Sequence, residues 1–288
     1  MTREELVARA QDAIQNGSKS FRLASRLFDR RTRERAWLLY CWCRHCDDMC
    51  DGQALGRGTV ERGSVIRLTE QTRRAALGQS VDELPFQALQ ALLRECPIPL
   101  AVLDDHLEGF RLDERDWRPE TEEELIRYCY HVAGTVGRMM ALVMGVPDND
   151  EATLERAQDL GIAFQLSNIA RDVREDAEAG RCYLPAEWLR EYDLGMATVD
   201  LEENRRAVAN LVHRLIDSVE RYESSARLGV PSLPFRSRWA VLSAAGIYGR
   251  IGRTVADLGP RAWDQRVVVP RSEKAMILAT AFGEAMAA

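Results

Sequence analysis

Hydrophobic side chains recur along this chain every three or four residues, the spacing that gathers them on one face of an α-helix, and the strict alternation of a half-buried strand is nearly absent. Period and punctuation together predict helices over roughly 2–16, 31–50, 60–78, 82–95, 99–113, 121–145, 151–178, 185–192, 200–227, 236–258 and 271–286. Breakers fall between them: Gly52, Gly56 and Gly58, then Pro97 and Pro99, Pro119, Gly145 with Pro147, Gly180, Pro231 with Pro234, and Pro260. Thr121 followed by Glu124 has the capping-box pattern, in which the two side chains satisfy each other's backbone donors at a helix start. No internal repeat, low-complexity tract or shift of composition marks a boundary. The expectation is therefore an all-α protein, a single helical domain spanning 1–288.

Two of these helices carry acids near their ends. RHCDDMCDG holds Asp47, Asp48 and Asp51, and NIARDVREDAEAGRCYLP holds Asp172 and Asp176. The DxxxD spacing sets the outer aspartates about 6 Å apart along the axis on one helix face, where like charges repel. An acidic helix face is ordinarily a solvated one. Here, however, the first cluster follows Trp37, Leu38, Tyr40, Cys41 and Trp42, and the second follows Leu160, Ala163, Phe164 and Ile169, so both sit where apolar helices reach the mouth of a pocket. Oxygen-only ligands suit a hard divalent cation, magnesium or alternatively manganese, and magnesium suggests phosphate. Gln165 and Asn168 lie one turn apart ahead of Asp172, and the Asn168 amide oxygen suits the same metal shell. Arg44, Arg171, Arg174 and Arg181 stand beside the acids, and a guanidinium fork matches phosphate oxygens; intrahelical ion pairing is the alternative for each.

Composition narrows the function classes. With 46% hydrophobic residues in 288 the chain can bury a sizeable core, and a formal net charge of −6 argues against a nucleic-acid partner. No amino-terminal segment has the central apolar region of a signal peptide, and MMALVMGV and ILATAF are too short to span a bilayer, so a cytoplasmic protein is expected. Cys41, Cys43, Cys46 and Cys50 form no standard metal-binding spacing, and Cys41 cannot face the same way as Cys43 on one helix; they read as buried free thiols.

Five stretches together resemble the squalene and phytoene synthases, nearest the bacterial phytoene synthase branch, a family that joins two prenyl diphosphates head to head. They are SKSF at Ser18 to Phe21, Tyr40 to Asp51, YCYHVAGTVG at Tyr128 to Gly137, LGIAFQLSNIARDVREDAEAGRCYLP at Leu160 to Pro185, and Tyr248. The resemblance implies the helical prenyl-synthase fold around a central apolar cavity. It implies metal held by Asp47, Asp48, Asp51, Asn168, Asp172 and Asp176, with Arg44, Arg171 and Tyr248 beside the reacting groups. Substrate contacts are implied for Ser18, Ser20, Phe21, Tyr130, Gly134, Val136, Gly137, Gln165, Arg181, Tyr183 and Arg266. Ser25, one turn after Phe21, is expected at the pocket floor, where a small residue leaves room for a long chain. Gly134 and Gly137, costing roughly 1 kcal/mol each in a helix, imply that a ligand or another helix passes close by. His45 and His131 belong to no motif of the family.

The implied reaction condenses two geranylgeranyl diphosphates to phytoene through a cyclopropylcarbinyl diphosphate, releasing two diphosphates, with no NADPH. Dehydrosqualene synthase, on fifteen-carbon substrates, and squalene synthase, which adds a nicotinamide reductant, are the alternatives within the family. A magnesium-dependent nucleotide pyrophosphohydrolase is the alternative from another class. A hydrocarbon product is compatible with peripheral membrane contact, at no surface the sequence identifies, and oligomeric state is left open.

Overall fold

A computed structural model describes residues 1–17, 19–51 and 63–288, without the side chains of 16, 19, 20, 50 and 51. The helices are α1 Arg3–Asn16, α2 Lys19–Ser25, α3 Arg30–Asp51, α4 Ser64–Ala76, α5 Leu84–Leu93, α6 Leu100–Glu114, α7 Glu122–Cys129, α8 Thr135–Val143, α9 Glu151–Glu178, α10 Ala186–Arg190, α11 Arg205–Arg227, α12 Phe235–Leu258 and α13 Arg271–Ala287. Among the described residues there is no strand. The expected helices are present with ends moved by a few residues, α9 at its expected bounds; the start expected at residue 60 lies outside the described residues. Two features went unread. The short helix α2 lies outside the expected helix spans, and a single π-helical turn at Tyr130–Gly134 separates α7 from α8.

Thr2 and Thr121 cap α1 and α7: each side chain accepts from the backbone N–H three residues on, and at Thr2 the Glu5 carboxylate completes the capping box. Two clusters of buried side chains then form. One joins α1 with α3 to α6, through Trp42, Phe86, Leu89 and Leu103; the other joins α7 and α9 to α12, through Leu166, Trp188, Leu211 and Ile247.

The pairing of α9 with the π-turn and α8 is close, and it depends on missing side chains. A Cβ at Gly161 of α9 would overlap the Ala133 carbonyl, and one at Gly137 would overlap the Ala157 carbonyl of α9. The obstruction is backbone in both cases. Of the two explanations for Gly137, a passing helix is therefore the one observed, and Gly134 likewise faces Gln158, Tyr130 and Ile162 side chains at 3.1–3.4 Å.

Because Gly161 meets backbone, Gly161→Val should force the two helices apart and cost about 1–3 kcal/mol. Gly283 of α13 has nothing within 4 Å, and Gly283→Ala should instead gain up to about 1 kcal/mol. Urea unfolding of the two variants checks this; equal stability at position 161 would show that the close approach is not needed.

Candidate active site

A cavity of about 770 Å³ runs between the two clusters. Each long helix gives it one stripe at helical spacing: Tyr40, Cys43, Arg44 and Asp47 from α3; Val136, Gly137, Met140 and Met144 from α8; Ala244, Ile247, Tyr248 and Ile251 from α12. The α9 stripe is the longest, running from Thr153 through Arg156, Leu160, Phe164, Gln165 and Asn168 to Arg171, about 27 Å of helix at 1.5 Å per residue. Its middle, from Ala157 to Phe164, is apolar, and Arg156 at the far end is paired with Ser225 and Asp159. Gln165, Asn168 and Arg171 share one end with Asp47, Arg44 and Arg266, whereas Gly229, whose Cα packs on Arg156, places Ala226, Val230 and Leu233 at the other.

Both acidic clusters lie at the polar end, within the last two turns of α3 and α9, and the final turn of neither helix has a basic residue. Carboxylates at a helix carboxy-terminus oppose the helix dipole, so this is an unfavourable place for them without a cation. Arginines meet part of the demand. Arg44 pairs with Asp48 at 2.6 Å. Arg171 grips Asp172 with two donors, one at 2.7 Å, and Arg266 reaches the same carboxylate at 3.0 Å and Glu175 at 3.3 Å. Burial works against the charge of Arg171, but the hydrogen-bonded Asp172 carboxylate outweighs it and holds the guanidinium above its ordinary pKa. Like-charge repulsion at Asp172 is thus already relieved by arginine.

Among the described residues no three His, Cys, Asp or Glu side chains stand close enough to enclose a metal. The donor set nevertheless suits magnesium. That ion keeps several waters and is ordinarily held by one or two carboxylates together with substrate phosphates, not by a full protein cage. Asp47 and Asn168 on facing helices, both on the cavity wall, with Asp172 at its rim, provide oxygen donors of that kind.

The other expected site residues divide. Phe21, Val136, Gly137, Gln165, Tyr248 and Arg266 line the cavity with Arg44, Asp47, Asn168 and Arg171. Tyr248 stacks on Phe164 with ring centroids 4.2 Å apart, and Phe21 stacks on Tyr40 at 5.5 Å. Ser18 and the side chains of Ser20 and Asp51 lie outside the described residues.

Several do not reach the wall. Ser25 is 1% exposed, accepts a hydrogen bond from Trp37 Nε1 and donates to the Arg22 carbonyl, so Ala24 and Phe28 face the cavity in its place. The i+4 spacing from Phe21 was correct, but the side chain turns toward α3. Tyr130 donates to Asp105 at 2.6 Å, and Gly134 abuts α9. Tyr183 donates to Asp113 at 3.2 Å and stacks on Tyr128, which donates to the same carboxylate. Asp48, Asp172, Asp176 and Arg181 are likewise off the cavity wall, Asp176 close enough to Tyr183 for its charge to act on the phenol. Cys43 faces the cavity with its thiol pushed far up, by burial first and then by Asp47, which keeps it neutral.

His106 is a wall residue that no motif announced. Thr135 Oγ1 donates to the His131 carbonyl at 2.7 Å; His106 Nδ1, 3.1 Å from that hydroxyl and 3.2 Å from that carbonyl, must therefore be a donor. In a π-turn the ladder shifts, with the Thr135 N–H bonded to the Tyr130 carbonyl, so the His131 carbonyl is satisfied by these two side chains. The only sequence signal was a histidine within an apolar helical stretch, LAVLDDHLEGF.

A family model described as squalene/phytoene synthase matches residues 14–273. The chain belongs to the squalene/phytoene synthase family. A 15-cis-phytoene synthase of Pantoea ananas is 45% identical over 99% of this chain and 94% of its own length, and one of Enterobacter agglomerans is 46% identical over 94% and 92%. Among solved structures, a dehydrosqualene synthase crystallised with a ligand superposes with a TM-score of 0.89 at 26% identity, covering 99% of this chain and 98% of its own. The helical isoprenoid synthase fold is that of this family.

Burial pushes the His106 pKa down to about 4 from 6.5. The unfolded chain takes up this proton below about 6.5 and the folded chain only below about 4, so stability is lost as pH falls through that window. Between pH 7 and pH 5 the loss from this residue should be about 2 kcal/mol. His106→Asn keeps a donor near the Nδ1 position without titrating, and urea midpoints at the two pH values should show its pH dependence reduced by that amount.

Proposed function

We propose that this protein, as one helical domain spanning 1–288, condenses two geranylgeranyl diphosphates head to head to phytoene, as a 15-cis-phytoene synthase. The observation that carries the reading is one cavity in which Asp47, Asn168, Gln165 and the arginines 44, 171 and 266 adjoin a run of apolar wall that includes Leu160, Phe164, Ile247 and Ile251. Full-length similarity to enzymes of that name supports the same product. The protein is a prenyltransferase of the cytoplasm, in peripheral contact with a membrane. Among the described residues no helix is long and apolar enough to cross one.

In this reading Asp47, Asp48, Asp51, Asn168, Asp172 and Asp176 hold magnesium. When bound, the metal supplies positive charge to diphosphate oxygens. Arg44, Arg171 and Arg266 bind the same oxygens and neutralise charge growing on the leaving group, so the allylic carbon–oxygen bond can ionise without a protein nucleophile. For this, Arg171 and Arg266 must exchange Asp172 for phosphate, a trade between two anionic partners. Phe21, Phe164 and Tyr248 line the cavity with aromatic rings that would favour a nearby cation, and Leu160, Ile247 and Ile251 exclude water from it. The cation alkylates the second substrate's double bond and closes to a cyclopropylcarbinyl diphosphate. A second ionisation, rearrangement and loss of a proton give the conjugated triene.

Asp47→Asn and Asp172→Asn should each lower turnover at least about tenfold, one decade per 1.4 kcal/mol of barrier. Because Asp172 is paired with two arginines, its replacement should not stabilise the fold, contrary to a simple repulsion argument. Near-normal turnover of both variants at saturating magnesium would remove the metal assignment.

The decisive assay incubates protein, magnesium and geranylgeranyl diphosphate and reads products by mass spectrometry. Two diphosphates should appear per phytoene, with rate and product indifferent to NADPH. A reduced product requiring NADPH would indicate squalene chemistry, exclusive use of farnesyl diphosphate would indicate dehydrosqualene formation, and phosphate release from nucleotides alone would refute prenyl transfer.

A further inference from the structure

On α9 the cavity wall carries two charged side chains, Arg156 and Arg171, at opposite ends of an apolar run made by Ala157, Leu160, Gly161 and Phe164. Arg171 belongs to the polar end. Arg156 does not, and it is held in place from two sides. Its guanidinium donates to the Ser225 hydroxyl of α11 and lies 3.6 Å from the Asp159 carboxylate, to which that hydroxyl also donates. On the other side a Cβ at Gly229 would come within 2.7 Å of Arg156 Cβ, so the backbone between α11 and α12 abuts the arginine stem. Gly229 and Val230 continue the wall there, and Val230 is buried against Leu242, Ala281 and Ala285. Arg156, Gly229 and Val230 therefore close the cavity away from the polar end.

From Asn168 back to Arg156, α9 measures about 18 Å at 1.5 Å per residue. An extended chain advances about 1.2 Å per bond, so the roughly sixteen main-chain carbons of a geranylgeranyl group cover about 18 Å, and a further isoprene unit adds about 5 Å. Four units fit. A fifth would have to push the guanidinium off Ser225 and Asp159, leaving a cation, a carboxylate and a hydroxyl short of partners in apolar surroundings, which contact with a hydrocarbon does not offset. An apolar side chain at this position could repack around a longer chain, whereas an ion-paired arginine is fixed in direction.

We propose that Arg156, held by Ser225 and Asp159, is the stop that sets the length of the prenyl chain lying along α9, admitting four isoprene units and rejecting a fifth. This selection rests on the prenyl diphosphate reading of the cavity. Arg156 acts at the far end of the chain and takes no part in ionisation, so it governs which substrate binds and not how fast a bound one reacts.

Binding of prenyl thiolodiphosphates, in which sulfur replaces the bridging oxygen and the allylic bond resists ionisation, reads this selection without turnover. With magnesium present, the wild type should bind the twenty-carbon compound at least about tenfold more tightly than the twenty-five-carbon one, because a pocket discriminates by about that factor for a single misplaced methylene. Arg156→Leu should remove most of that difference and leave the ratio between the fifteen- and twenty-carbon compounds as in the wild type, since both end short of position 156. A ratio of affinities does not depend on the fraction of protein that folds. Ser225→Ala, which frees the guanidinium without removing it, should move the ratio in the same direction and decides the matter where the leucine variant does not fold. Undiminished rejection of the longer chain by these variants would overturn Arg156 as the stop, as would a wild type that binds both lengths equally. A shift in selection as stated, from a wild type that makes no hydrocarbon of geranylgeranyl diphosphate, would refute the condensation and leave the stop standing.

Discussion

Everything in this structure depends on how closely α9 can approach the helix beside it. Gly161 against the Ala133 carbonyl and Gly137 against the Ala157 carbonyl bring two backbones into contact, and that contact fixes which stripe of α9 is left to face the cavity. Were the pair separated by even one methyl group on each side, the stripe from Thr153 to Arg171 would rotate or withdraw. Gln165 and Asn168 would then no longer stand opposite Asp47. The π-turn at Tyr130–Gly134 belongs to the same constraint. It lets α7 and α8 run as one continuous path while shifting the register of α8, and His106 and Thr135 satisfy the carbonyl that the shift leaves over. The cost of the glycines in helix propensity is small beside what their contact organises.

A second constraint is electrostatic. Five aspartates sit toward the carboxy-terminal ends of α3 and α9, where the helix dipoles disfavour them, and arginines from the same helices and from the segment before α13 hold two of them, Asp48 and Asp172. Arg266 is the informative one. It comes from an irregular stretch far along the chain, yet it lines the cavity and clasps Asp172. A site held by such exchangeable pairs is ready for an anion with its own cation, because each guanidinium already has the right geometry and loses one carboxylate only to gain phosphate oxygens.

Most of this was readable from periodicity, because long helices with continuous apolar stripes carry their own signal; α9 was placed to the residue. The acids, arginines, Gln165 and Asn168 were read from motif and spacing; the cavity gathers Asp47, Arg44, Arg171, Gln165 and Asn168, while Asp48, Asp172, Asp176 and Arg181 stand off its wall. What stayed hidden depends on tertiary direction. Ser25 and Ala24 are neighbours on one short helix, and only the position of Trp37 decides which faces inward. Tyr130 and Tyr183 looked like substrate contacts but are bound to Asp105 and Asp113, partners 25 and 70 residues away. The π-turn leaves no composition signature, and His106 gains its meaning only from it.

The grading of the cavity also constrains direction. Charge enters and leaves at the end where α3 and α9 carry their acids, because only there can arginine and oxygen donors replace water around diphosphate. A long apolar chain fits the middle of the cavity, which Ala157, Leu160 and Phe164 of α9 line together with Met140, Ile247 and Ile251. Val230, packed with Ala281 and Ala285, closes the cavity away from that rim, so the ionic leaving group and the apolar chain meet walls of different chemistry within one cavity of about 770 Å³.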